Sequence, residues 1–331
     1  MNRQLDQFLL LARVFVLPFL SVPALSDESD LSYVTCGSVI KLLNTLRNVR
    51  LHSHEVKYGS GTIVTGGYVE EVTLFANVER TGKEKKFNPG AEIIGGHEVE
   101  PHSRPYMASL QLYIGNNMYV PYCGGALIRP NWVLTAAHCE KTIGSGQVLQ
   151  AVLGVHSLSK HEISQQRLRI IRQIPITKYN NLTKEDDIML LQLETDAKIN
   201  QYVNVLNLPK GGITNMKSGT RCTVAGWGKT KINNYPDTLQ EVEVEVIDRR
   251  KCNSMDYYNH TPEITQDMIC VGDSNGRGDS CQGDSGGPLI CKKMYTGIVS
   301  FGGKECAIAK RPGVYTLLTK KYIDWIRDTI G

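Results

Sequence analysis

The chain has 331 residues, 41% hydrophobic and 21% charged, an ordinary globular composition long enough for one large or two small domains. Its formal net charge of +4 is a mild basic excess: residues 93–331 hold 27 Lys and Arg against 23 Asp and Glu, and the first 92 residues hold 10 of each. No basic stripe interleaved with aromatics occurs, which argues against a nucleic-acid surface while permitting acidic glycosaminoglycans. The chain opens with a largely apolar run over residues 8–20, preceded by Arg3 and followed by small residues. That pattern predicts a secretory signal peptide over residues 1–26. Arg13, Pro18 and Pro23 break the run, which is too short to anchor the chain stably in a membrane.

Residues 27–92 are of another character. Tyr33-Val34-Thr35-Cys36-Gly37-Ser38-Val39-Ile40-Lys41 and Val49-Arg50-Leu51-His52-Ser53-His54 resemble the opening of the MIR domain of endoplasmic-reticulum β-trefoil proteins. The likeness covers only about residues 32–67, so trefoil repeats cannot close around a core. Lys83-Glu84-Lys85-Lys86 reads as solvated. The region is expected to be a poorly structured propeptide or atypical leader rather than a glycan-binding appendage.

From residue 93 onward the chain alternates between short strands and turns. Residues 106–112, 147–153 and 297–301 read as strands bounded by Gly, Pro or Asn. Glu241-Val242-Glu243-Val244-Glu245-Val246 has the period of two expected of a half-exposed strand. Residues 248–255 read as a short helix. Tyr322, Ile323, Ile326 and Ile330 share one face with Trp325, predicting a terminal helix that packs on a barrel and ends near Gly331. Many short strands with one terminal helix fit an all-β fold of two six-stranded antiparallel Greek-key barrels, with a cleft between them.

Three segments carry chemistry. Gly283-Asp284-Ser285-Gly286-Gly287-Pro288 surrounds a serine with glycines, so the backbone can turn sharply, present the hydroxyl and leave the N–H groups of Gly283 and Ser285 free for an oxyanion. A serine hydroxyl is a weak nucleophile and needs a base, usually a histidine held by a carboxylate. Thr135-Ala136-Ala137-His138-Cys139 follows an apolar run and supplies the histidine. Asp187-Ile188-Met189-Leu190-Leu191 places an aspartate at the mouth of an apolar strand, and Asp186 competes with it for the role.

These segments, with Ile93-Ile94-Gly95-Gly96, Ala225-Gly226-Trp227-Gly228 and Pro312-Gly313-Val314-Tyr315, stand in the order found in trypsin-like serine proteases, which residues 93–331 resemble throughout. Pro101-His102-Ser103-Arg104-Pro105-Tyr106-Met107 and Leu317-Leu318-Thr319-Lys320-Lys321 are similar to the granzymes, chiefly those of the tryptase kind. The resemblance implies a catalytic triad of His138, Asp187 and Ser285, an oxyanion hole at Gly283 and Ser285, and Ser300 bonded to the buried aspartate. It places Asp279 at the floor of the substrate-binding pocket, with Ser300, Gly302 and Gly313 around it, and so implies cleavage after Arg or Lys. Arg277-Gly278-Asp279-Ser280 also spells an integrin-type tetrapeptide.

The resemblance further implies activation by cleavage before Ile93, whose new ammonium would pair with Asp284. Glu92 precedes that cut, as in granzymes, where an acidic dipeptide is trimmed; a leader of some sixty residues departs from that pattern. Eight of nine cysteines lie within residues 93–331, an even set that suggests a disulfide framework. The implied pairs are Cys123–Cys139, Cys222–Cys291, Cys252–Cys270 and Cys281–Cys306. The cysteine that joins two subunits in some granzymes has no counterpart in residues 175–187, so a monomer is expected. Asn181-Leu182-Thr183 and Asn259-His260-Thr261 are glycosylation sequons. No CxxC pair or histidine cluster points to a metal, and no cofactor is expected. The expected partners are protein and peptide substrates and protease inhibitors, in a secreted or granule-stored protein. A catalytically dead homologue acting as a binding protein and a MIR-type binder are the competing readings; the intact triad opposes the first and the truncated MIR pattern the second.

Overall fold

The computed structural model describes residues 95–331, apart from Asn117, Ser145, residues 231–234, Ser274, Arg277 and Lys304, together with two short strands near the N-terminus. Those strands, β1 (Leu43–Asn44) and β2 (Val49–Arg50), pair antiparallel and belong to a unit spanning Met1–Phe87. The signal-like segment, the rest of the leader, Cys36 and Ile93 lie outside the described residues.

The second unit, Asn88–Gly331, holds the two barrels. After the short strand β3 (His97–Glu98), the first barrel is built from β4 (Met107–Gly115), β5 (Met118–Arg129), β6 (Trp132–Thr135), β7 (Leu149–Leu153), β8 (Gln166–Pro175) and β9 (Met189–Leu193). It closes in the order β4-β5-β6-β9-β8-β7. The second comprises β10 (Arg221–Gly226), β11 (Gln240–Ile247), β12 (Met268–Gly272), β13 (Pro288–Cys291), β14 (Met294–Phe301) and β15 (Gly313–Leu317). Its order is β10-β13-β14-β15-β12-β11, and β10 pairing with β11 completes the ring. All pairings are antiparallel, and closure leaves no open edge within either ring.

The strands expected at 106–112, 147–153 and 297–301 are present with shifted ends. Along β11 the valines are buried while Glu243 and Glu245 face solvent, as the period of two requires. Core side chains of the first barrel's strands, including Leu110, Leu127, Val133, Leu134 and Leu190, have no exposed surface. Each such burial is worth about 1.5–3 kcal/mol. Helix α1 (Arg249–Asn253) is shorter than the stretch predicted, and the Asp248 carboxylate caps it by accepting from the N–H groups of Arg250 and Lys251. Helix α2 (Lys320–Ile330) buries Tyr322, Ile323 and Ile326, which join the cluster formed by the first barrel's core. No helix among the described residues is long and apolar enough to cross a membrane.

Candidate active site

His138 leaves β6 in the 3-10 turn Ala137–Cys139, and the Cys123–Cys139 disulfide ties that turn back to β5. Asp187 lies two residues before β9, which pairs with β6 through Thr135 and Met189. Adjacent strands thus deliver both side chains to one end of the first barrel. Asp187 is fully buried. Its Oδ1 accepts the His138 backbone N–H at 2.9 Å, and its Oδ2 is 2.7 Å from His138 Nδ1. Ser300 on β14 donates its hydroxyl to the same Oδ2 at 2.5 Å, and Thr316 on β15 donates to the Asp187 carbonyl at 2.8 Å.

Burial alone would raise the Asp187 pKa. The hydrogen bonds and charge of His138, with the Ser300 hydroxyl, outweigh it and hold the carboxyl below its ordinary range. A charged Asp187 fixes the proton on Nδ1 and leaves Nε2 as the basic nitrogen. Asp186 is unsuited to this role. It adopts a left-handed backbone, accepts the Tyr322 hydroxyl at 2.7 Å and pairs with Lys321, so it anchors α2.

Ser285 stands between Gly283 at φ 103° and Gly286 at φ 80°, a backbone that side chains rarely adopt. Gly286 is also crowded: a Cβ there would come within 2.0 Å of Thr135 Oγ1 and 2.6 Å of the Gly124 carbonyl. Gly124 N–H donates to the Ser285 carbonyl at 2.8 Å, and the Thr135 hydroxyl donates to the Gly124 carbonyl at 2.8 Å. These contacts seat the serine loop against β5 and β6, beside the turn that carries His138. Among the described residues the N–H groups of Gly283 and Ser285 have no backbone acceptor, which leaves them available to a developing oxyanion.

Asp284, next to the serine, is fully buried. Its oxygens accept N–H groups from Gly228 and Cys281, both at 2.8 Å. Burial pushes its pKa up to about 6 despite these donors. In the sequence Gly226 and Gly228 are only members of a motif. A Cβ on Gly226 would fall 2.1 Å from Asp284 Oδ1, and one on Gly228 would fall 2.4 Å from its Cγ. Both glycines are required by the space the carboxylate occupies.

Asp279 is only 3% exposed, which rules out the integrin-type reading of its tetrapeptide. The Ala307 N–H donates to its Oδ2 at 2.9 Å, while Oδ1 is buried and has no hydrogen-bond partner among the described residues. Gly313 borders that oxygen, since a Cβ there would lie 3.1 Å from it. A Cβ on Gly302 would meet only Gly313 Cα, at 3.9 Å, so there is open room beside Gly302. Burial, aided by the charge of Asp284, pushes the Asp279 pKa up to about 7 against the N–H donors of Ala307 and Ser280. An unpaired buried carboxylate oxygen is costly, and a cation beside it would relieve that cost. Benzamidine binding is therefore expected to weaken as pH falls below about 7, approaching tenfold per unit, with proton release on binding near neutral pH. Calorimetry in buffers of different ionisation enthalpy reads that proton directly, and pH-independent binding would contradict it.

The remaining disulfides, Cys222–Cys291, Cys252–Cys270 and Cys281–Cys306, lie in the second barrel and its loops. Cys281–Cys306 joins the segment preceding Ser285 to the loop that supplies Ala307. Cys123 and Cys139 neighbour His138, but their sulfurs bond each other and offer no thiolate to a metal. Asn181 and Asn259, the two sequon asparagines, are both exposed.

A family model described as Trypsin matches residues 93–326. Granzyme A from Bos taurus is 45% identical over 72% of this chain and 88% of its own length. Granzyme B(G,H) from Mus musculus is 44% identical, with 72% and 91% covered. Kallikrein-8 from Homo sapiens is 39% identical, with 72% and 87% covered.

Proposed function

Because the chain belongs to the trypsin family of serine proteases and is related to the granzymes, we propose that residues 93–331 cleave polypeptides after Arg or Lys. Ser285 Oγ attacks the scissile carbonyl carbon while His138 Nε2 takes its proton. Charged Asp187 stabilises the resulting imidazolium. The N–H groups of Gly283 and Ser285 bind the oxyanion of the tetrahedral intermediate. His138 then protonates the departing amine, the acyl-enzyme forms, and water repeats the sequence to free Ser285 and the new carboxylate. In this reading the protein is a monomeric zymogen of the secretory route, opened by cleavage before Ile93.

The observation that carries the specificity is Asp279 Oδ1, buried beside Gly313 and without a hydrogen-bond partner among the described residues. A guanidinium or ammonium would supply the missing partner. The test is a positional peptide library run on the activated protein and on Asp279→Ser. The library should return Arg and Lys before the cleaved bond, and the variant should lose on the order of 10³-fold in kcat/KM for such substrates. A preference for aromatic or acidic residues, or an Asp279→Ser variant that keeps its Arg/Lys preference, refutes the reading. Labelling of Ser285 by a fluorophosphonate separates an enzyme from an inactive binding homologue.

A further inference from the structure

Asp186, the residue before the buried Asp187, has a backbone that the triad contacts alone do not explain. Its φ is 56°, in the left-handed region that residues with a side chain seldom adopt, though Asp and Asn do so more readily than most. Its carbonyl accepts the Ile188 N–H at 2.8 Å, closing a three-residue turn with Asp187 at the corner. From that corner the Asp187 carboxylate reaches both the main chain and the ring of His138 before the strand β9 begins. A left-handed backbone of this kind costs free energy and persists only where neighbours hold it.

The hold comes from α2, far along the chain. The Tyr322 hydroxyl donates to Asp186 Oδ1 at 2.7 Å, and the Lys321 ammonium pairs with the same oxygen. Tyr322 has no exposed surface, and the Asp186 side chain is only 10% exposed, so water competes poorly for this contact. Burial and the Asp186 carboxylate push the Tyr322 pKa up, which keeps the hydroxyl a donor. Lys321 lies over the Tyr322 ring at 5.0 Å and reaches the Asp267 carboxylate at 3.5 Å. Asp267 also accepts the Thr319 hydroxyl at 3.0 Å. The first turn of α2 is thus tied to the segments that enter β9 and β12, while Tyr322 and Ile323 pack into the first barrel's core cluster.

We infer that Tyr322 and Lys321 are positioning residues for the reaction. Acting through Asp186, they lock the left-handed turn that aims the Asp187 carboxylate at His138. Without them Asp186 relaxes toward the ordinary right-handed region, the peptide joining it to Asp187 rotates, and the carboxylate swings out of line with Nδ1. The imidazolium formed during attack is then less well stabilised, and turnover falls. Asp279 and its surroundings belong to the second barrel, apart from this turn, so binding in the pocket is expected to be unchanged. The inference rests on the protease reading and gives the terminal helix a share in the chemistry.

The experiment uses the full chain with a processing site placed between Glu92 and Ile93, activated by cleavage there. Tyr322→Phe, Lys321→Met, Asp186→Gly and Asp186→Asn are compared with the parent. The readouts are kcat and KM on a tripeptide Arg amide, the rate at which a fluorophosphonate labels Ser285, and the Kd of benzamidine. Tyr322→Phe keeps the buried ring and loses only the donor. It is expected to lower kcat and the labelling rate by about tenfold, with KM and the benzamidine Kd within about twofold of the parent. Lys321→Met should lose a several-fold share of kcat. Asp186→Gly permits the left-handed backbone but discards both partners, and should lose at least as much as Tyr322→Phe. Asp186→Asn keeps an acceptor for Tyr322 and tolerates the turn, and should return to within about threefold of the parent. Asp324→Asn breaks an ion pair with Lys320 on the same helix and should leave kcat as it is. Parental kcat in Tyr322→Phe overturns the inference, as does an Asp186→Asn variant no better than Asp186→Gly. So does a uniform loss across kcat, labelling and benzamidine binding, which marks a merely structural role. Should Tyr322→Phe fold poorly, the two Asp186 variants decide alone. A parent inert toward both amide and fluorophosphonate counts against the protease reading instead, and the inference falls with it.

Discussion

Ser285→Ala and His138→Ala are each expected to lower kcat for an Arg amide by about 10⁶-fold while the domain stays folded. The two losses should be similar and should not add, because hydroxyl and imidazole act in one step. Ser285→Ala removes no contact that folding needs, and after His138→Ala the buried Asp187 keeps the Ser300 and Thr316 hydroxyls. Neither side chain belongs to the apolar core, and the contacts that seat the serine loop run through the Ser285 carbonyl and the Gly124 N–H. Near-parental melting temperatures with kcat reduced to the residual level support the assignment. Retention of more than about one part in 10³ of the activity in either variant, with contaminating protease excluded by active-site titration, contradicts it.

The second large effect concerns activation. Protein that retains its leader is expected to be nearly inert, and protein beginning at Ile93 active. Asp284 is buried without a cation among the described residues, and its pKa is pushed up to about 6. A free ammonium at Ile93 would pair with it and order the oxyanion loop. Removing one partner of such a buried pair typically costs 3–5 kcal/mol, or about 10²–10⁴-fold in the population of the competent loop. The pH dependence follows in sign. A carboxyl whose folded pKa lies above its unfolded value contributes stability at low pH and loses it as pH rises from about 4 through about 6. The uncleaved protein should therefore lose thermal stability across that window. The cleaved protein, with Asp284 paired, should not, and the gap in Tm should widen toward neutral pH. Acetylating the Ile93 amine should restore the uncleaved behaviour. Equal activity of the acetylated and free-amine forms would refute the mechanism.

Much of this was legible in the sequence because local rules act on short segments. The alternation of Val and Glu in β11 survives in the structure, since one face packs and the other meets water. The apolar face of α2 was visible from its spacing, and Asp248 caps α1 as a residue of its type should. The order of His138, Asp187 and Ser285 suggested their meeting, and the structure places two of them within 2.7 Å. What the sequence hid were contacts between residues far apart in the chain. Nothing local to Gly226 or Gly228 announces that the Asp284 carboxylate fills the space beside them. Thr135 reads as one more strand residue, yet its hydroxyl helps carry Gly124 to Ser285. Asp186 and Asp187 differ by one position, and only the packing of Tyr322 and Lys321 shows which is taken for α2.

The four groups that hold Asp187 come from both barrels: the main chain and ring of His138 from the first, the hydroxyls of Ser300 and Thr316 from the second. The primary pocket, by contrast, lies within the second barrel alone. Recognition and reaction thus have different mechanical demands. On the proposed specificity, a small slip of one barrel across the other would leave an arginine side chain still seated over Asp279 while turning the imidazole out of line. The aspartate works as an alignment gauge, so a strained or partly loosened molecule would hold its substrate and spare it.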